Sequence, residues 1–193
     1  IQKLNGKVQS MKKITVIVIS VITILLGGCA SPTQSTNGPQ SSANDSVKVM
    51  EIKVDRVVDG DTIQVYLKGK KEHIRMIGVD TPETVKEDSP VEYYGPEASS
   101  YTKKALTGKI VYLEFDVGER DRFGRPLAYV WLEKPKSDSD GEVRAKMFNA
   151  QLLIQGYGRI ITIPPNVKYV DNFKKYQAEA REKKRGLWGR DIK

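Results

Sequence analysis

The feature that most constrains this chain is an alternation of apolar and polar residues with a period of two, which occurs three times between residues 50 and 76. The apolar positions are Met50, Ile52 and Val54, then Ile63, Val65 and Leu67, and then Ile74 and Met76. Successive side chains of a β-strand point to opposite faces, so each segment predicts a half-buried strand. The sequences Asp59-Gly60 and Lys68-Gly69-Lys70 are typical of tight turns. We therefore predict a meander of three strands.

The rest of the folded region mixes shorter strands with helices. A loop rich in charge and proline is predicted from Thr81 to Tyr94, and Pro96 and Gly108 are suited to the start and the end of a helix. The other predicted elements are strands near residues 111–115 and 127–131 and helices over residues 147–155 and 172–184. A solvated turn is predicted at residues 137–141. This order favours an α+β fold built on a five-stranded Greek-key barrel with three helices.

The N-terminal region is typical of an export signal. Lys12 and Lys13 precede an apolar run over residues 14–26, which at about 13 residues is too short to cross a bilayer of about 30 Å. The run ends at Gly27-Gly28-Cys29, which resembles a bacterial lipobox. We therefore interpret Cys29 as the lipidated first residue of the mature protein. The alternative is a free or buried thiol, since no second cysteine exists to pair with it.

Composition then divides the chain into three parts. Residues 1–29 are interpreted as the signal peptide with its lipobox, and residues 30–47, which are polar and lack apolar periodicity, as a disordered, flexible linker. Residues 48–193 are expected to form one folded domain. We expect an exported monomer that a lipid holds on the outer face of the bacterial cell membrane.

The net charge and the scarcity of histidine and cysteine limit the functions that the chain can have. The formal net charge is +8, and residues 48–193 contain 28 basic and 23 acidic side chains, because four lysines and one aspartate precede them. A basic surface suits a polyanionic partner such as nucleic acid or an anionic membrane. The chain has one histidine and one cysteine, so a zinc site and a histidine-based hydrolase are excluded.

Charged side chains are concentrated where predicted strands end. Arg75 is out of phase with the apolar positions of its strand, so its guanidinium is expected on the outer surface. Asp61 and Asp80 would repel each other unless a cation neutralised them, and carboxylates favour Ca²⁺ or Mg²⁺. Glu83 is the candidate group for orienting or deprotonating water. Arg75 and Arg125 are suited to clamping a phosphate.

Four blocks of sequence, in this order, resemble the staphylococcal nuclease (thermonuclease) family. The blocks are Asp59-Gly60-Asp61-Thr62, Arg75 with Val79-Asp80-Thr81-Pro82-Glu83-Thr84, Tyr94-Gly95-Pro96-Glu97-Ala98-Ser99, and Phe123-Gly124-Arg125 with Leu127-Ala128-Tyr129. The similarity extends from about Val49 to Trp188. Each block alone is weak, but their common order is specific.

The resemblance implies an OB-fold barrel with three helices and a calcium-dependent endonuclease that cuts DNA and RNA and leaves 3′-phosphates. By the same resemblance, Ca²⁺ would bind the side chains of Asp61 and Asp80 and the carbonyl of Thr81. Glu83 would position or deprotonate the attacking water. Arg75 and Arg125 would bind the scissile phosphate, with Arg125 near the leaving oxygen.

The resemblance also identifies substrate contacts and differences. Arg122 matches a family lysine that approaches a neighbouring phosphate. Phe123 replaces a tyrosine, so stacking is retained but a hydroxyl contact is lost. The segment over residues 159–166 lacks the two tyrosines that usually line the base pocket.

Two rival hypotheses follow from the same residues. An OB-fold could bind single strands without cutting them, through basic and aromatic side chains. A surface lipoprotein with a structural or adhesive role would not respond to Ca²⁺. The combined presence of Asp61, Asp80, Glu83, Arg75 and Arg125 argues against the binding module, and the effect of Ca²⁺ on thermal stability tests the second rival.

Overall fold

The computed structural model describes residues 47–84 and 90–189. The predicted signal peptide, Cys29 and nearly all of the predicted linker lie outside these residues. Within the described part of the chain, no helix is both long enough and apolar enough to cross a membrane.

Five strands close into a barrel, and two shorter strands pair beside it. The seven strands are β1 (Met50–Asp59), β2 (Thr62–Leu67), β3 (Lys70–Met76), β4 (Val79–Asp80), β5 (Ile110–Glu114), β6 (Leu127–Trp131) and β7 (Arg159–Ile160). The order around the barrel is β1-β2-β3-β6-β5, and β4 pairs with β7. Neighbouring barrel strands are antiparallel except β3 and β6, which are parallel. The predicted five-stranded barrel is therefore confirmed.

The period-two pattern explains which side chains fill the barrel. Ile63, Val65, Ile74 and Met76 are almost completely buried, as the alternation predicts. The register between β1 and β2 shifts twice, after Val54 and again before the end of β1. Such irregularities bend a strand and increase its twist. The bends allow β1 to pair with β2 at one end and with β5 at the other.

The described chain contains four α-helices and one short 3₁₀ helix. These are α1 (Gly95–Leu106), α2 (Asp140–Lys146), α3 (Phe148–Ile154), α4 (Val170–Glu182) and the 3₁₀ helix Gly186–Gly189. Three of the helices agree with the sequence prediction, and α2 is an addition. The prediction of a solvated turn over residues 137–141 was wrong, because Asp140 and Gly141 begin α2.

The charges of α2 explain its presence. Asp140 and Glu142 lie in its first turn, whereas Arg144 and Lys146 lie in its last turn, which complements the helix dipole. Nζ of Lys146 lies 2.9 Å from a carboxylate oxygen of Glu142, one turn away. The sequence prediction for this segment was a solvated turn, so the helix was missed.

The helices bury their apolar faces against the barrel. The largest completely buried side chains are aromatic and come from β6, α3 and α4 and their flanking residues; they are Trp131, Tyr129, Tyr169, Tyr176, Phe148 and Phe173. Asn149 of α3 is also completely buried. Its Nδ2 donates to the carbonyl of Ile77 at 2.8 Å, and its Oδ1 accepts from the N–H of Val130 at 2.8 Å. These bonds hold α3 against the ends of β3 and β6.

Candidate active site

Arg75 joins two carboxylates at the end of β3. Its Nη1 lies 3.1 Å from Oδ2 of Asp61, and its Nη2 lies 2.7 Å from Oδ1 of Asp80. Nη1 also donates to the carbonyl of Val79 at 2.7 Å. The Arg75 side chain is 13% exposed, as expected for a residue between two core positions whose guanidinium lies on the outer side of the barrel. The structure therefore brings together three residues that the sequence predicted as a group.

Two glycines allow this convergence. Gly78 has a φ of +77°, and a Cβ there would lie 2.5 Å from the ring of Phe173, so a side chain is excluded on both grounds. This turn separates β3 from β4 and redirects Asp80. Gly60 lies against Thr81, because a Cβ on Gly60 would be 2.6 Å from Oγ1 of Thr81. A larger residue at either position would separate the two carboxylates.

Asp61 is held in place by hydrogen bonds on both of its oxygens. Its Oδ2 accepts from the N–H of Thr81 at 2.9 Å and from Oγ1 of Thr81 at 3.1 Å. Its Oδ1 accepts from Oγ1 of Thr62 at 2.9 Å. Asp61 and Thr81 are both buried. Asp61 is therefore oriented before any ligand arrives.

Asp80 is less well neutralised. Its side chain is 53% exposed, in contrast to the 8% of Asp61. Loss of hydration raises the pKa of Asp80 above its ordinary value, and the charge of Asp61 acts in the same direction, whereas Arg75 opposes both. Arg75 contacts both carboxylates, and Arg159, opposite Asp80 in the β4–β7 pair, also acts to lower the pKa of Asp80. The half-exposed carboxylate of Asp80 is therefore the part of the pair that solvent or an ion can reach.

The donor set agrees with a hard divalent ion. The described residues contain no group of three or more His, Cys, Asp and Glu side chains suited to a metal. Two carboxylates, Asp61 and Asp80, nevertheless share one guanidinium, and the backbone of Thr81 lies against Asp61. An ion here would need oxygens from the backbone, water or substrate to complete its shell, which Ca²⁺ and Mg²⁺ accept readily. The carboxylates of Asp61 and Asp80 are therefore ligands of the kind that a hard divalent ion takes, and the backbone group of Thr81 that contacts Asp61 is its N–H.

Glu83 lies in a segment that is tied to the barrel through its neighbour. The N–H of Thr84 donates to Oε1 of Glu83 at 3.1 Å, and Oγ1 of Thr84 donates to Oδ1 of Asp59 at 2.6 Å. The N–H of Glu92 donates to the carbonyl of Glu83 at 3.1 Å. Burial raises the pKa of Asp59; Glu83 hydrogen bonding and the Asp61 charge add to this, while hydrogen bonds from Thr84 and Gly60 oppose it. Glu83 is thus held beside the buried end of β1.

Arg125 precedes β6, the strand that pairs with β3. The N–H of Arg75 donates to the carbonyl of Pro126 at 2.9 Å, which places the residue after Arg125 against Arg75. The side chain of Arg125 is oriented by Asp121, whose Oδ2 accepts from Nε at 2.6 Å. Burial acts to raise the pKa of Asp121, but hydrogen bonds from Arg125 and from the N–H of Phe123 lower it overall. Arg125 therefore lies two residues before the strand β6, whose Leu127 pairs with Arg75 of β3.

Arg122 and Phe123 lie on the loop that precedes Arg125. Phe123 is 68% exposed, and Cζ of Arg122 lies 4.7 Å from the centre of its ring. Cζ of Arg125 lies 5.4 Å from the same ring. An exposed aromatic ring flanked by guanidinium groups is suited to contact with a nucleotide base and its phosphate.

Comparison with known proteins agrees with this geometry. The sequence model described as "Staphylococcal nuclease homologue" matches residues 73–190. The chain belongs to the staphylococcal nuclease family. It is 44% identical over 180 residues to the thermonuclease of Staphylococcus hyicus, covering 92% of this chain and 99% of that protein.

Two further relatives of the family extend the comparison. The thermonuclease of Staphylococcus intermedius is 40% identical over 182 residues, which covers 93% of this chain and 100% of the relative. Endonuclease YncB of Bacillus subtilis (strain 168) is 32% identical over 208 residues and 93% of each chain. The predicted resemblance to the family is therefore confirmed over most of the chain.

Sequence reasoning missed several partners of the family residues. Asp59 was read only as part of a turn, although it accepts the hydroxyl of Thr84. Asp121 received no role, although it orients Arg125. Arg159 lies directly opposite Asp80 in the β4–β7 ladder, and its charge lowers the pKa of Asp80. A carboxylate four residues before Arg125 was visible in the sequence; the other two partners were not.

Proposed function

We propose that this chain, a nuclease by its family, is a calcium-dependent endonuclease that hydrolyses phosphodiester bonds of DNA and RNA and leaves 3′-phosphates. The observation that carries the proposal is the contact of one guanidinium, Arg75, with both Asp61 and Asp80 at the barrel edge. A negatively charged pair beside a basic side chain can accept a metal and a phosphate together. The names of the thermonuclease and endonuclease relatives support the same activity.

The carboxylates of Asp61 and Asp80 and the carbonyl of Thr81 would hold the calcium ion. When bound, the ion supplies positive charge that stabilises the developing charge on phosphate oxygens. The hydrogen bonds from Thr81 and Thr62 to Asp61 keep that carboxylate in a single orientation. Part of the conformational entropy of the site is therefore lost on folding, before the ion binds.

Glu83 would orient or deprotonate the water that attacks phosphorus. A general base must be held within hydrogen-bonding reach of its proton, and the N–H of Thr84 fixes one oxygen of the Glu83 carboxylate. The proton passes from water to Glu83 as the new P–O bond forms. The P–O bond to the 5′ oxygen of the next nucleotide breaks, which leaves the phosphate on the 3′ side.

Arg75 and Arg125 would bind the equatorial oxygens of the scissile phosphate. Arginine donates to phosphate in pairs of parallel hydrogen bonds, which a lysine cannot do. Oδ2 of Asp121 lies 2.6 Å from Nε of Arg125 and fixes the plane of the Arg125 guanidinium. In that plane the remaining N–H groups of Arg125 would donate to the leaving oxygen. Arg122 would contact a neighbouring phosphate, and Phe123 would stack on a base.

The deciding experiment is cleavage of a labelled single-stranded DNA by the full-length protein with Ca²⁺ or with EDTA. We expect cleavage with Ca²⁺, loss in EDTA, recovery on adding Ca²⁺ and 3′-phosphate ends on the products. Equal cleavage in EDTA would remove calcium from the mechanism. Binding of the strand without cleavage in either condition would favour the rival single-strand-binding OB-fold.

We also propose that the protein acts outside the cell as a monomer held to the membrane by a lipid on Cys29. The support is the sequence of a basic pair, a short apolar run and a small-residue segment before that cysteine. Replacement by Cys29→Ser should move the protein from the membrane fraction to the medium or leave it unprocessed. Unchanged membrane association of the variant would reject the lipid anchor.

A further inference from the structure

The loop that carries Glu83 must be fixed to the barrel if its carboxylate is to hold water in one place. Glu83 lies outside every strand and helix, and a general base on such a segment loses rate when its position varies. The backbone of Glu83 is bonded to Glu92 of the same loop. That bond closes the loop on itself, so the ties of this segment to the sheet are the side-chain hydrogen bonds that Glu83 and Thr84 make with Asp59.

Asp59 supplies a bond to the sheet. It is the last residue of β1, is paired with Thr62 of β2 and is only 7% exposed. Its Oδ1 accepts the hydroxyl of Thr84 at 2.6 Å. These two residues are 25 positions apart, so the bond joins the loop to a rigid strand.

Thr84 connects Asp59 to the carboxylate of Glu83. Its N–H donates to Oε1 of Glu83 at 3.1 Å while its hydroxyl is held by Asp59. On the other side, Gly95 lies so close that a Cβ there would be 2.8 Å from Cγ2 of Thr84. Thr84 is therefore held by a hydrogen bond on one side and by packing on the other, and its N–H has a fixed direction.

We infer that Asp59 and Thr84 are positioning residues for the reaction: the Asp59–Thr84 hydrogen bond orients the Glu83 carboxylate toward its water. This inference rests on the proposed role of Glu83 as the group that orients or deprotonates water. Neither positioning residue touches the phosphate or exchanges a proton with it. Their effect is expected on turnover and not on substrate binding.

The test compares Thr84→Val, which keeps the shape but removes the hydroxyl, with Thr84→Ser, which keeps the hydroxyl. We expect Thr84→Val to lower kcat by about 10- to 100-fold with KM within about twofold. Thr84→Ser should retain kcat within about threefold of the original protein. An unchanged kcat in Thr84→Val, or an equal loss in both variants, would overturn the inference.

A double-mutant cycle separates positioning from simple destabilisation. If Thr84 acts through Glu83, Thr84→Val should change the residual rate of the Glu83→Ala variant by less than about twofold. If Thr84→Val lowered the rate of the Glu83→Ala variant by the same factor as that of the original protein, Thr84 would act independently of Glu83. Thermal unfolding of each variant shows whether it is folded at the assay temperature. Should Thr84→Val not be folded, Thr84→Ala, which also lacks the hydroxyl, tests the same bond and should lower kcat in the same way.

Failure of the inference and failure of the proposed function give different results. Should Glu83→Ala keep the full rate, the proposed role of Glu83 is wrong whatever Thr84 does. Should Glu83→Ala lose activity while Thr84→Val keeps it, the proposed function stands and only the positioning role is wrong.

Discussion

Two carboxylate sites of this protein, around Glu114 and around the pair Asp61 and Asp80, are built in opposite ways. Glu114 is 4% exposed, and both of its oxygens are occupied by donors. It accepts from Nε1 of Trp131 at 2.8 Å, from the hydroxyl of Tyr169 at 3.0 and 3.1 Å, and from Nζ of Lys168 at 2.7 Å. Lys168 is the cation of this site, and its Nζ also lies 3.6 Å from Oδ2 of Asp138.

The Asp61 and Asp80 site has two negative charges and one guanidinium in contact with both. Asp61 is satisfied by hydrogen bonds, but Asp80 is half-exposed and its pKa is raised. The Asp80 carboxylate is therefore accessible to a ligand, whereas Glu114 is enclosed by its donors.

The difference shows how one kind of side chain serves stability or function. A buried carboxylate with all its donors joins β5 and β6 to the start of α4 and leaves no capacity for a ligand. A half-exposed carboxylate at the barrel edge, in contrast, keeps oxygen atoms within reach of a ligand. The following changes test that distinction, from the largest expected effect to the smallest.

Glu83→Ala should lower turnover by about 100- to 10,000-fold, because general-base assistance is lost. The barrel should remain folded, since Glu83 lies outside the core. Initial rates on labelled DNA with Ca²⁺ measure the first effect and thermal unfolding the second. Arg75→Ala and Arg125→Ala should also lose rate by orders of magnitude, and a variant with the full rate would remove that residue from the mechanism.

Glu114→Ala should lower the free energy of unfolding by about 3 kcal/mol, because Lys168 and Tyr169 lose a buried partner. Denaturant unfolding measures this change. Glu133→Ala is the matched control, since the Glu133 side chain is 73% exposed, and it should change stability by less than about 0.5 kcal/mol. Equal effects of the two substitutions would mean that the hydrogen bonds of Glu114 do not stabilise the fold more than an exposed carboxylate does.

Calcium should stabilise the folded protein by about 2.7 kcal/mol at a concentration 100 times the dissociation constant. The thermal midpoint should rise accordingly. Asp80→Asn should abolish this shift, because one of the two proposed carboxylate ligands is lost. Asp171→Asn, at a side chain that is 82% exposed in α4, should leave the shift unchanged. A calcium shift that persists in Asp80→Asn would place the ion elsewhere.

The smallest effect is expected at a surface carboxylate. Hydrogen bonds from Lys183 and Arg144 lower the pKa of Glu179 to about 2. A lowered pKa means that the unfolded chain binds the proton more readily, so this stabilisation is present above about pH 4.5 and is lost as pH falls toward 2. Glu179→Gln should therefore lose less stability than the original protein when the pH is lowered through this range. Acid titration of the unfolding midpoint measures the difference, and parallel curves would contradict it.

Much of the site was predictable because its residues lie close together in sequence. The alternation around Arg75 was sufficient to predict that its guanidinium lies outside the barrel, because side-chain direction in a strand is a local property. The turns at Gly60 and Gly78 were likewise local signals. Helix α2 was missed although its charge pattern was visible, since its short length gave no apolar periodicity. The N-terminal predictions remain untested by the described residues.

The sequence by itself determined the strands, the turns and the set of charged residues at the strand ends, because these depend on neighbours a few positions apart. Only the tertiary structure decided which of those charges meet. Arg75 reaches Asp61 because β2 pairs with β3, and Asp59 reaches Thr84 because the loop after β4 returns to the end of β1. Glu114 meets Tyr169, 55 positions away, only when α4 packs on the closed barrel. Such pairs depend on chain closure, which no local pattern of side chains encodes.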